Sequence, residues 1–216
     1  MKQHAPEKGQ IEQSYLSQGL LPAGVDEVGR GCLAGPVVAA CVVLDYAKLD
    51  GLDSKTKLKI RDSKTLSANQ RSSIVSLINE IAFEHHLGVA TAREIETVGI
   101  LEATFLAMNR AISKLSETRP EILLVDGNQK IKGQHIKQQT VVKGDSLCYT
   151  IAAASIIAKE YRDEFMRAKA LELPAWGFER HVGYGTAEHL AAINTHGICD
   201  LHRRTFAPIR DLGLHP

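Results

Sequence analysis

The chain lacks several features that would place it in a membrane, secreted or repetitive class of protein. No apolar run approaches the roughly 18 residues that a membrane-spanning helix needs. The amino terminus, MKQHAPEKGQIEQ, is polar and has no apolar core of the kind found in secretory signals, so we expect a cytoplasmic protein. No internal repeat or low-complexity tract interrupts the 216 residues, a length that fits one large domain with, at most, a small appendage.

Zinc-binding patterns of cysteine and histidine are also missing. The four cysteines fit no CxxC spacing, so we expect reduced and mostly buried thiols at Cys32, Cys41, Cys148 and Cys199. The nine histidines include no HxxxH or HxH pair. Four of the histidines gather in the C-terminal segment, and we expect structural roles for them: His181, His189, His196 and His202.

A strong net charge is absent, but the charges are unevenly distributed along the chain. The net charge of +1 argues against indiscriminate binding of polyanions. Residues 54–71 nevertheless contain six basic side chains and one acid, and residues 127–144 contain four lysines and no acid. Such segments suit a polyanion that must approach metal ions, although either segment alone is more typical of a solvated loop.

The hydrophobic pattern predicts an α/β layer fold around a mixed five-stranded sheet. Apolar, β-branched runs predict strands that end at Glu27 or span 37–44, 86–90, 121–125 and 136–142. Helical spacing predicts helices that begin at Ser67, span 101–115 and 147–171, or follow an N-cap at Thr186. Between them, residues 45–65 are expected to form a charged, mobile loop. Strands alternating with helices are typical of a layered α/β domain.

Four acidic residues stand at the boundaries of these predicted elements. Asp26 and Glu27 end an apolar run, Asp126 ends the buried run EILLV, and Asp145 begins a helix. An ionised carboxylate within a strand costs several kcal/mol unless a partner compensates its charge. Ligands gather beyond strand ends in α/β sheets, so adjacent first and fourth strands would bring Asp26 and Asp126 together.

Divalent cations are the simplest compensation for such a group of carboxylates, because hard ions prefer oxygen ligands. Two ions, Mg²⁺ or Mn²⁺, about 4 Å apart would relieve the repulsion, one activating a water and the other stabilising a departing oxygen. A local turn or helix cap remains the alternative for each acid taken alone. The four acids together favour the metal site.

Six segments carry a resemblance to a known family. They occur in the family's order over nearly the whole chain beyond its N-terminal arm: GVDEVGRGCLAGPVVAA at 24–40, RDSKTLS at 61–67, ILLVDG at 122–127, KGDSLCYTIAAASIIAKEYRD at 143–163, GYGTAEH at 183–189 and HRRTF at 202–206. On these segments the chain resembles the ribonuclease HII family. No single dipeptide among them is specific, but their combination is.

The resemblance implies an RNase H-like fold, with a mixed five-stranded sheet flanked by helices and a small C-terminal helical unit. It implies an N-terminal arm at 1–18, a catalytic domain at 19–171 and a substrate-binding unit at 172–216. The implied activity is metal-dependent cleavage of RNA–DNA hybrids and incision 5′ of ribonucleotides embedded in duplex DNA, leaving 3′-hydroxyl and 5′-phosphate ends. We expect these nucleic acids as partners of a monomeric enzyme that does not bind membranes.

Particular site residues follow from the same resemblance. The catalytic and metal-binding acids fall on Asp26, Glu27, Asp126 and Asp145. Residues implied to bind substrate are the turn that reads the ribose 2′-hydroxyl, a backbone-contacting element, a further lysine and the tyrosine that senses the RNA–DNA junction: Gly29, Arg30, Gly31, Asp62, Ser63, Lys64, Lys143 and Tyr184. The chain departs from the family pattern at Val182, where Lys is usual, and at Trp176, where Tyr is commoner. The first departure concerns one backbone contact and not the chemistry.

Elementary chemistry independently favours two of these assignments. A 2′-hydroxyl both donates and accepts hydrogen bonds, and a glycine-rich turn can test for it at close range. Tyr184 stands between two glycines, where an exposed ring can stack on a sugar or base, although a core tyrosine is the alternative. Two rival functions are a non-catalytic nucleic-acid-binding module of the same fold and a resolvase-like two-metal nuclease. The four acids favour an enzyme over the first, and the Gly-Arg-Gly turn with Tyr184 argues against the second.

Overall fold

A five-stranded mixed sheet forms the centre of the protein in a computed structural model, which describes residues 7–60 and 68–213. Its strands are β1 (Pro22–Val28), β2 (Val37–Leu44), β3 (Ala82–Ala90), β4 (Ile122–Asp126) and β5 (Lys137–Val141). Their order across the sheet is β3-β2-β1-β4-β5, with β1 antiparallel to β2 and parallel to β4. The predicted α/β fold with a mixed five-stranded sheet is confirmed.

The parallel pair β1 and β4 brings acids from distant parts of the sequence to one edge of the sheet. Val25 aligns with Val125, so Asp26 and Asp126 follow at the same level. Both strands are buried on both faces, which explains why their sequences read as continuous apolar runs and not as an alternation. The first and fourth strands are therefore adjacent, which is the condition under which the two acids were expected to meet.

Helices cover both faces of the sheet. Residues of β2 alternate between the two, since successive side chains on a strand point to opposite sides. Val37, Ala39 and Cys41 pack in the cluster of apolar side chains formed with α6 (Ile100–Ile112), which follows α5 (Ala92–Val98). The neighbouring residues pack in a second cluster with α4 (Ala68–Ile81) and α8 (Tyr149–Glu172).

Helix α8 lies very close to β1, and one glycine makes that approach possible. A Cβ at Gly24 would overlap the backbone of Thr150 and Ile151. Small side chains at Ala152, Ala153 and Ala154, all fully buried, also allow the close packing. The start of α8 and the acid-bearing end of β1 are thereby held in a fixed relation.

Shorter helices complete the described part of the chain: α1 (Gln10–Leu16), α2 (Tyr46–Gly51), α3 (Ser54–Lys57), α7 (Gly144–Leu147), α9 (Phe178–His181) and α10 (Ala187–His196). The expectation of a mobile loop over 45–65 is wrong for residues 45–60. Asp45 and Asp53 accept hydrogen bonds from the first-turn N–H groups of α2 and α3, and Ile60 is fully buried. The helix start predicted at Ser67 lies outside the described residues.

The C-terminal segment packs against the end of α8 and the chain that follows β1. Thr186 caps α10 by accepting a hydrogen bond from the His189 N–H, as predicted. The N–H groups of Leu33 and Ala34 both donate hydrogen bonds to the Gly183 carbonyl of this segment. Among the described helices, none is long and apolar enough to cross a membrane.

Candidate active site

The four predicted acids line one small cavity at the edge of the sheet. Asp26 and Glu27 come from β1, Asp126 from the end of β4, and Asp145 from α7. The cavity has a volume of about 100 Å³ and is also lined by side chains from α8 and the C-terminal segment, namely Ser155, Lys159 and Tyr184. The structure therefore brings together acids that are up to 119 positions apart in sequence.

Asp26 is the most deeply buried of these acids, with 6% of its surface exposed. Its Oδ1 accepts a hydrogen bond of 2.7 Å from the Glu27 N–H. Burial raises the pKa of Asp26 well above its usual range, and repulsion from Glu27 and Asp126 raises this pKa further. A hydrogen bond with Ser155 opposes that rise. The ionised form of Asp26 is therefore costly in the isolated chain.

Glu27 stands beside the solvent-facing arginine of the Gly-Arg-Gly turn. Burial raises the pKa of its carboxyl group, and the positive charge of Arg30 lowers that pKa in part. The Arg30 Nη1 lies 3.3 Å from Glu27 Oε1. The arginine side chain is about half exposed, at 49%, whereas the Glu27 side chain is 13% exposed. This contact joins the acidic cavity to the adjacent turn.

Asp126 ties β4 to the short helix that carries Asp145. Its Oδ1 accepts a hydrogen bond of 2.7 Å from the Gly144 N–H. A Cβ at Gly144 would overlap the end of the Ile151 side chain and lie 3.2 Å from this same Asp126 oxygen, so glycine allows this close approach without displacing either. The backbone carbonyl of Asp145 accepts a 2.6 Å hydrogen bond from the Lys8 Nζ. The fourth acid is thus held from the sheet and from the N-terminal segment.

The chemistry of this donor set fits a hard divalent cation. Carboxylate oxygens from three separate elements face a single cavity, and a cation there would relieve the repulsion that raises the pKa of Asp26. Within the described residues, no three His, Cys, Asp or Glu side chains already form a group that could hold an ion by themselves. Mg²⁺ commonly uses one or two carboxylates together with substrate phosphates and waters, so a partial protein site suits a phosphate substrate.

The Gly-Arg-Gly turn presents its backbone at the surface beside this cavity. Gly29 is buried with φ 90°, and a Cβ there would overlap the Arg162 side chain. Gly31 is exposed, and apart from its neighbours in the chain no described atom lies within 4 Å of the place where its Cβ would be. The first glycine thus allows packing and the second leaves open space for a ligand.

Tyr184 also lines the cavity, from the turn between Gly183 and Gly185. The residue is 39% exposed, and its N–H donates a 2.9 Å hydrogen bond to the His181 carbonyl. Its hydroxyl hydrogen-bonds with the buried thiol of Cys32. The ring is therefore anchored at one end while part of its surface remains accessible, which argues against a purely internal tyrosine.

Of the other predicted substrate-binding residues, one side chain lies within the described part of the chain and three lie outside it. Lys143 is exposed and directly precedes α7, with φ 57°. Asp62, Ser63 and Lys64 lie outside the described residues. Val182 also has a positive φ, 43°, an unusual conformation for a β-branched residue.

Two buried arginines that sequence reasoning missed bind carbonyl groups of the chain that follows β1 and, at Val182, of the C-terminal segment. The guanidinium of Arg162 donates hydrogen bonds of 2.9 Å to the carbonyls of Ala34, Pro36 and Val182. Arg203 donates to the carbonyls of Arg30 and Gly35, at 2.9 and 3.0 Å. Both arginines are fully buried, and burial lowers the pKa of Arg203 to about 10. The only sequence signal that could have drawn attention to them was the presence of arginine within the segments IIAKEYRD and HRRTF.

Comparisons with known proteins agree with this geometry. The family model described as Ribonuclease HII matches residues 23–209. A ribonuclease HII of Endomicrobium trichonymphae is 44% identical over 203 residues, covering 94% of this chain and 93% of the relative. A ribonuclease HII of Chlorobaculum tepidum is 49% identical over 191 residues, covering 88% of this chain and 90% of the relative.

Solved structures show the same fold at lower sequence identity. The ribonuclease H2 of Pyrococcus horikoshii OT3 superposes with a TM-score of 0.70 at 24% identity, over 88% of this chain and 96% of that one. Bst-RNase HIII in complex with Mn²⁺ superposes with a TM-score of 0.67 at 23% identity, over 88% of this chain and 68% of that one. At these identities the likeness concerns the fold.

Proposed function

Because the chain belongs to the ribonuclease HII family, we propose that it incises duplex DNA on the 5′ side of an embedded ribonucleotide, in addition to cleaving the RNA of RNA–DNA hybrids. Family membership makes it a metal-dependent endoribonuclease of the ribonuclease H type 2 class. The observation that carries the proposal is the single cavity shared by four acids and Tyr184. One chain supplies all of these residues, so a monomer would suffice for the proposed activity.

The proposed reaction is hydrolysis at the phosphate preceding the ribonucleotide. Asp26, Glu27, Asp126 and Asp145 would hold two divalent ions, Mg²⁺ or Mn²⁺, which supply activation of water and stabilisation of the departing oxygen. A water oxygen bonds to phosphorus and the bond to the upstream 3′ oxygen breaks. That oxygen takes a proton, leaving a 3′-hydroxyl on one fragment and a 5′-phosphate on the other.

The proposed selectivity comes from the two turns beside the acids. Backbone groups of the Gly29-Arg30-Gly31 turn would hydrogen-bond the ribose 2′-hydroxyl, and the open space at Gly31 supports this close approach. The exposed face of Tyr184 would pack on the following sugar, which lacks a 2′-hydroxyl. Lys143 and the Asp62-Ser63-Lys64 element would contact the phosphate backbone. Arg203 donates to the Arg30 carbonyl of the first turn, and Arg162 donates to the carbonyls of Ala34 and of Val182 beside the second turn, which supports a fixed spacing between the two sugars.

A duplex with one ribonucleotide in a labelled DNA strand tests this function directly. We expect a single cut on the 5′ side of the ribonucleotide with Mg²⁺ or Mn²⁺, and none with a chelator or on an all-DNA duplex. A uniform RNA–DNA hybrid serves as the positive control for the family activity. Cleavage of the hybrid without incision of the mixed duplex would contradict the proposed substrate.

Tyr184 variants test how the junction is read. Tyr184→Ala should slow incision at one embedded ribonucleotide by roughly ten- to hundredfold, because a stacking contact is worth about 1–3 kcal/mol. Uniform hybrids lack the junction and should be slowed less, and Tyr184→Phe should retain most of the preference because it keeps the ring. Initial rates on both substrates give the ratio. Equal slowing of both by Tyr184→Ala would mean that the residue is structural.

A further inference from the structure

Lys159 occupies a place between the acidic cavity and Tyr184 for which the proposed function gives no role. Its Nζ lies 2.7 Å from Asp163 Oδ1 and 5.5 Å from the centroid of the Tyr184 ring. The side chain is 13% exposed and lines the same cavity as the four acids. A cation is therefore fixed at the edge of a strongly acidic cavity and next to the ring that would face the substrate.

Charge balance within the protein does not by itself require this lysine. Asp163 is buried and also receives a 2.8 Å ion pair from the Arg71 Nη2. Arg71 in turn contacts Glu160 at 3.2 Å, and Arg167 lies 4.0 Å from Asp163. The carboxylate of Asp163 is thus paired from the neighbouring helix whether or not Lys159 is present.

The position of Lys159 on α8 explains how it reaches the cavity. Ser155, Lys159 and Asp163 follow one another at intervals of four residues, so they lie along one face of the helix. Ser155 lines the cavity and hydrogen-bonds with Asp26. An ammonium group has three N–H donors, and Asp163 takes one of them. The remaining donors give Lys159 the capacity to bind an anionic oxygen within the cavity.

We propose that Lys159 binds a phosphate oxygen of the strand that is cut, at the phosphate attached to the sugar that packs on Tyr184. This inference rests on the proposed function for the identity of that sugar. A cavity lined by four carboxylates repels a polyanion, and a fixed ammonium group at its edge offsets this repulsion where the strand enters. Its contact with the Tyr184 ring places the bound phosphate within one nucleotide of the packed sugar.

Binding measured without metal separates this role from catalysis. The probes are a duplex with one embedded ribonucleotide and a uniform hybrid, each titrated by fluorescence anisotropy in chelator at several salt concentrations. Lys159→Met should weaken binding of both by about tenfold and lower the slope of log Kd against log salt by about one. Lys159→Arg should recover most of the affinity and slope. Lys169→Met is the matched control, since Lys169 is on the same helix but pairs with Glu172 at the surface.

Unchanged affinity and salt slope in Lys159→Met would overturn the inference and leave the lysine as an internal partner of Asp163. Equal weakening in the Met and Arg variants, with a lowered melting temperature in both, would also overturn it in favour of packing. If the wild type fails to incise the mixed duplex but Lys159→Met still loses one charge from the hybrid slope, the proposed substrate fails while the phosphate contact stands.

Discussion

Two buried groups of titratable side chains in this protein differ in how their polar atoms are satisfied. The acidic cavity gathers four carboxylates, whereas the histidine cluster consists of His181, His189 and His202. In the histidine cluster, His189 Nε2 lies 3.1 Å from His202 Nε2, and His189 Nδ1 lies 2.9 Å from the Tyr184 carbonyl oxygen. His202 Nδ1 accepts a hydrogen bond of 2.9 Å from the Cys199 N–H.

These contacts define one consistent arrangement of protons for neutral rings. His189 donates from Nδ1 to the Tyr184 carbonyl, and its Nε2 then accepts from His202, whose Nδ1 accepts in turn. Burial lowers the pKa of His189 and of His202 to about 4, so both are neutral near pH 7. The histidine cluster is complete without a ligand.

Carboxylates have no comparable arrangement, because ionised carboxyl groups only accept hydrogen bonds and repel one another. Burial and this repulsion raise the pKa of Asp26, which shows that its charged form lacks sufficient compensation within the chain. Burial of titratable groups alone therefore does not mark a functional site. The distinguishing feature is a buried charge that the protein does not itself balance.

Asp26→Asn should have the largest effect on activity, because it removes the uncompensated charge from the acidic cavity. Loss of the carboxylate removes a metal ligand, and several kcal/mol of lost transition-state stabilisation corresponds to a rate decrease of at least about a thousandfold. Without metal, the same change removes a costly charge, so the melting temperature should rise by a few degrees, as expected for about 1 kcal/mol in a domain of this size. Asp126→Asn should lose activity similarly. Initial rates and thermal unfolding in chelator provide the two measurements.

Asp163→Asn is the matched control for a buried acid that is balanced by the protein. Its carboxylate is paired with Arg71 and Lys159, so its removal should lower the melting temperature where Asp26→Asn raises it. Near-normal activity of Asp26→Asn at saturating Mg²⁺ would rule out the assigned metal site. A fall in stability for both variants would mean that Asp26 is also balanced internally.

Secondary structure and site residues could be predicted from sequence alone where the local pattern of residues and their burial coincide. The predicted bounds of β2 are those observed, because all eight of its residues are buried and apolar. Asp26 and Asp126 could each be recognised because each ends a buried run, but their proximity depended on the two strands being adjacent, as they are in the sheet. Caps at Asp45 and Asp53 were overlooked because the density of charge around them suggested a loop.

The parts that sequence did not reveal depend on tertiary contacts. Lys159, Arg162 and Arg203 stand in segments where each could equally be a surface residue. Their roles follow only from contacts made in the folded protein, with Asp163, the Pro36 carbonyl and the Gly35 carbonyl respectively. The order of protons in the histidine cluster likewise needs the distances between rings from separate segments. Spacing in the sequence carries no information about such contacts.

An effect of intermediate size is expected in the pH dependence of stability, where the histidine cluster and the acidic cavity should contribute in opposite directions. The pKa of His202 is about 4 in the folded protein and near 6.5 when exposed, so its contribution is complete above about pH 6.5 and is lost as the pH falls towards 4. The shift corresponds to on the order of 3 kcal/mol. The raised pKa values of Asp26 and Glu27 act in the opposite direction, since their protonation on acidification relieves repulsion.

His202→Gln isolates the histidine contribution from that of the acids. The variant should have a lower free energy of unfolding than the wild type at pH 7. The gap between these two free energies should narrow as the pH falls from 6.5 to 4. Urea unfolding in chelator at several pH values measures this gap, and the acidic cavity, unchanged in both proteins, cancels from the difference. A gap in the free energy of unfolding that is constant with pH would show that the folded protein does not keep the histidine pair neutral.

The smallest expected effect concerns the rim of the acidic cavity, where charge is exposed and not buried. Lys143 follows the end of β5 that lies beside Asp126, while Lys137 begins the same strand about 13 Å away at the opposite end of the sheet. Lys143→Asn suits the positive φ of this position better than alanine would. It should weaken duplex binding in chelator by about threefold to tenfold and lower the salt slope by about one if Lys143 contacts phosphate. Lys137→Gln should leave affinity and slope unchanged, because no acid of the cavity lies at its end of the strand. Equal effects of the two variants would mean that only the general field of the protein acts on the duplex, and the rim would then carry no specific phosphate contact.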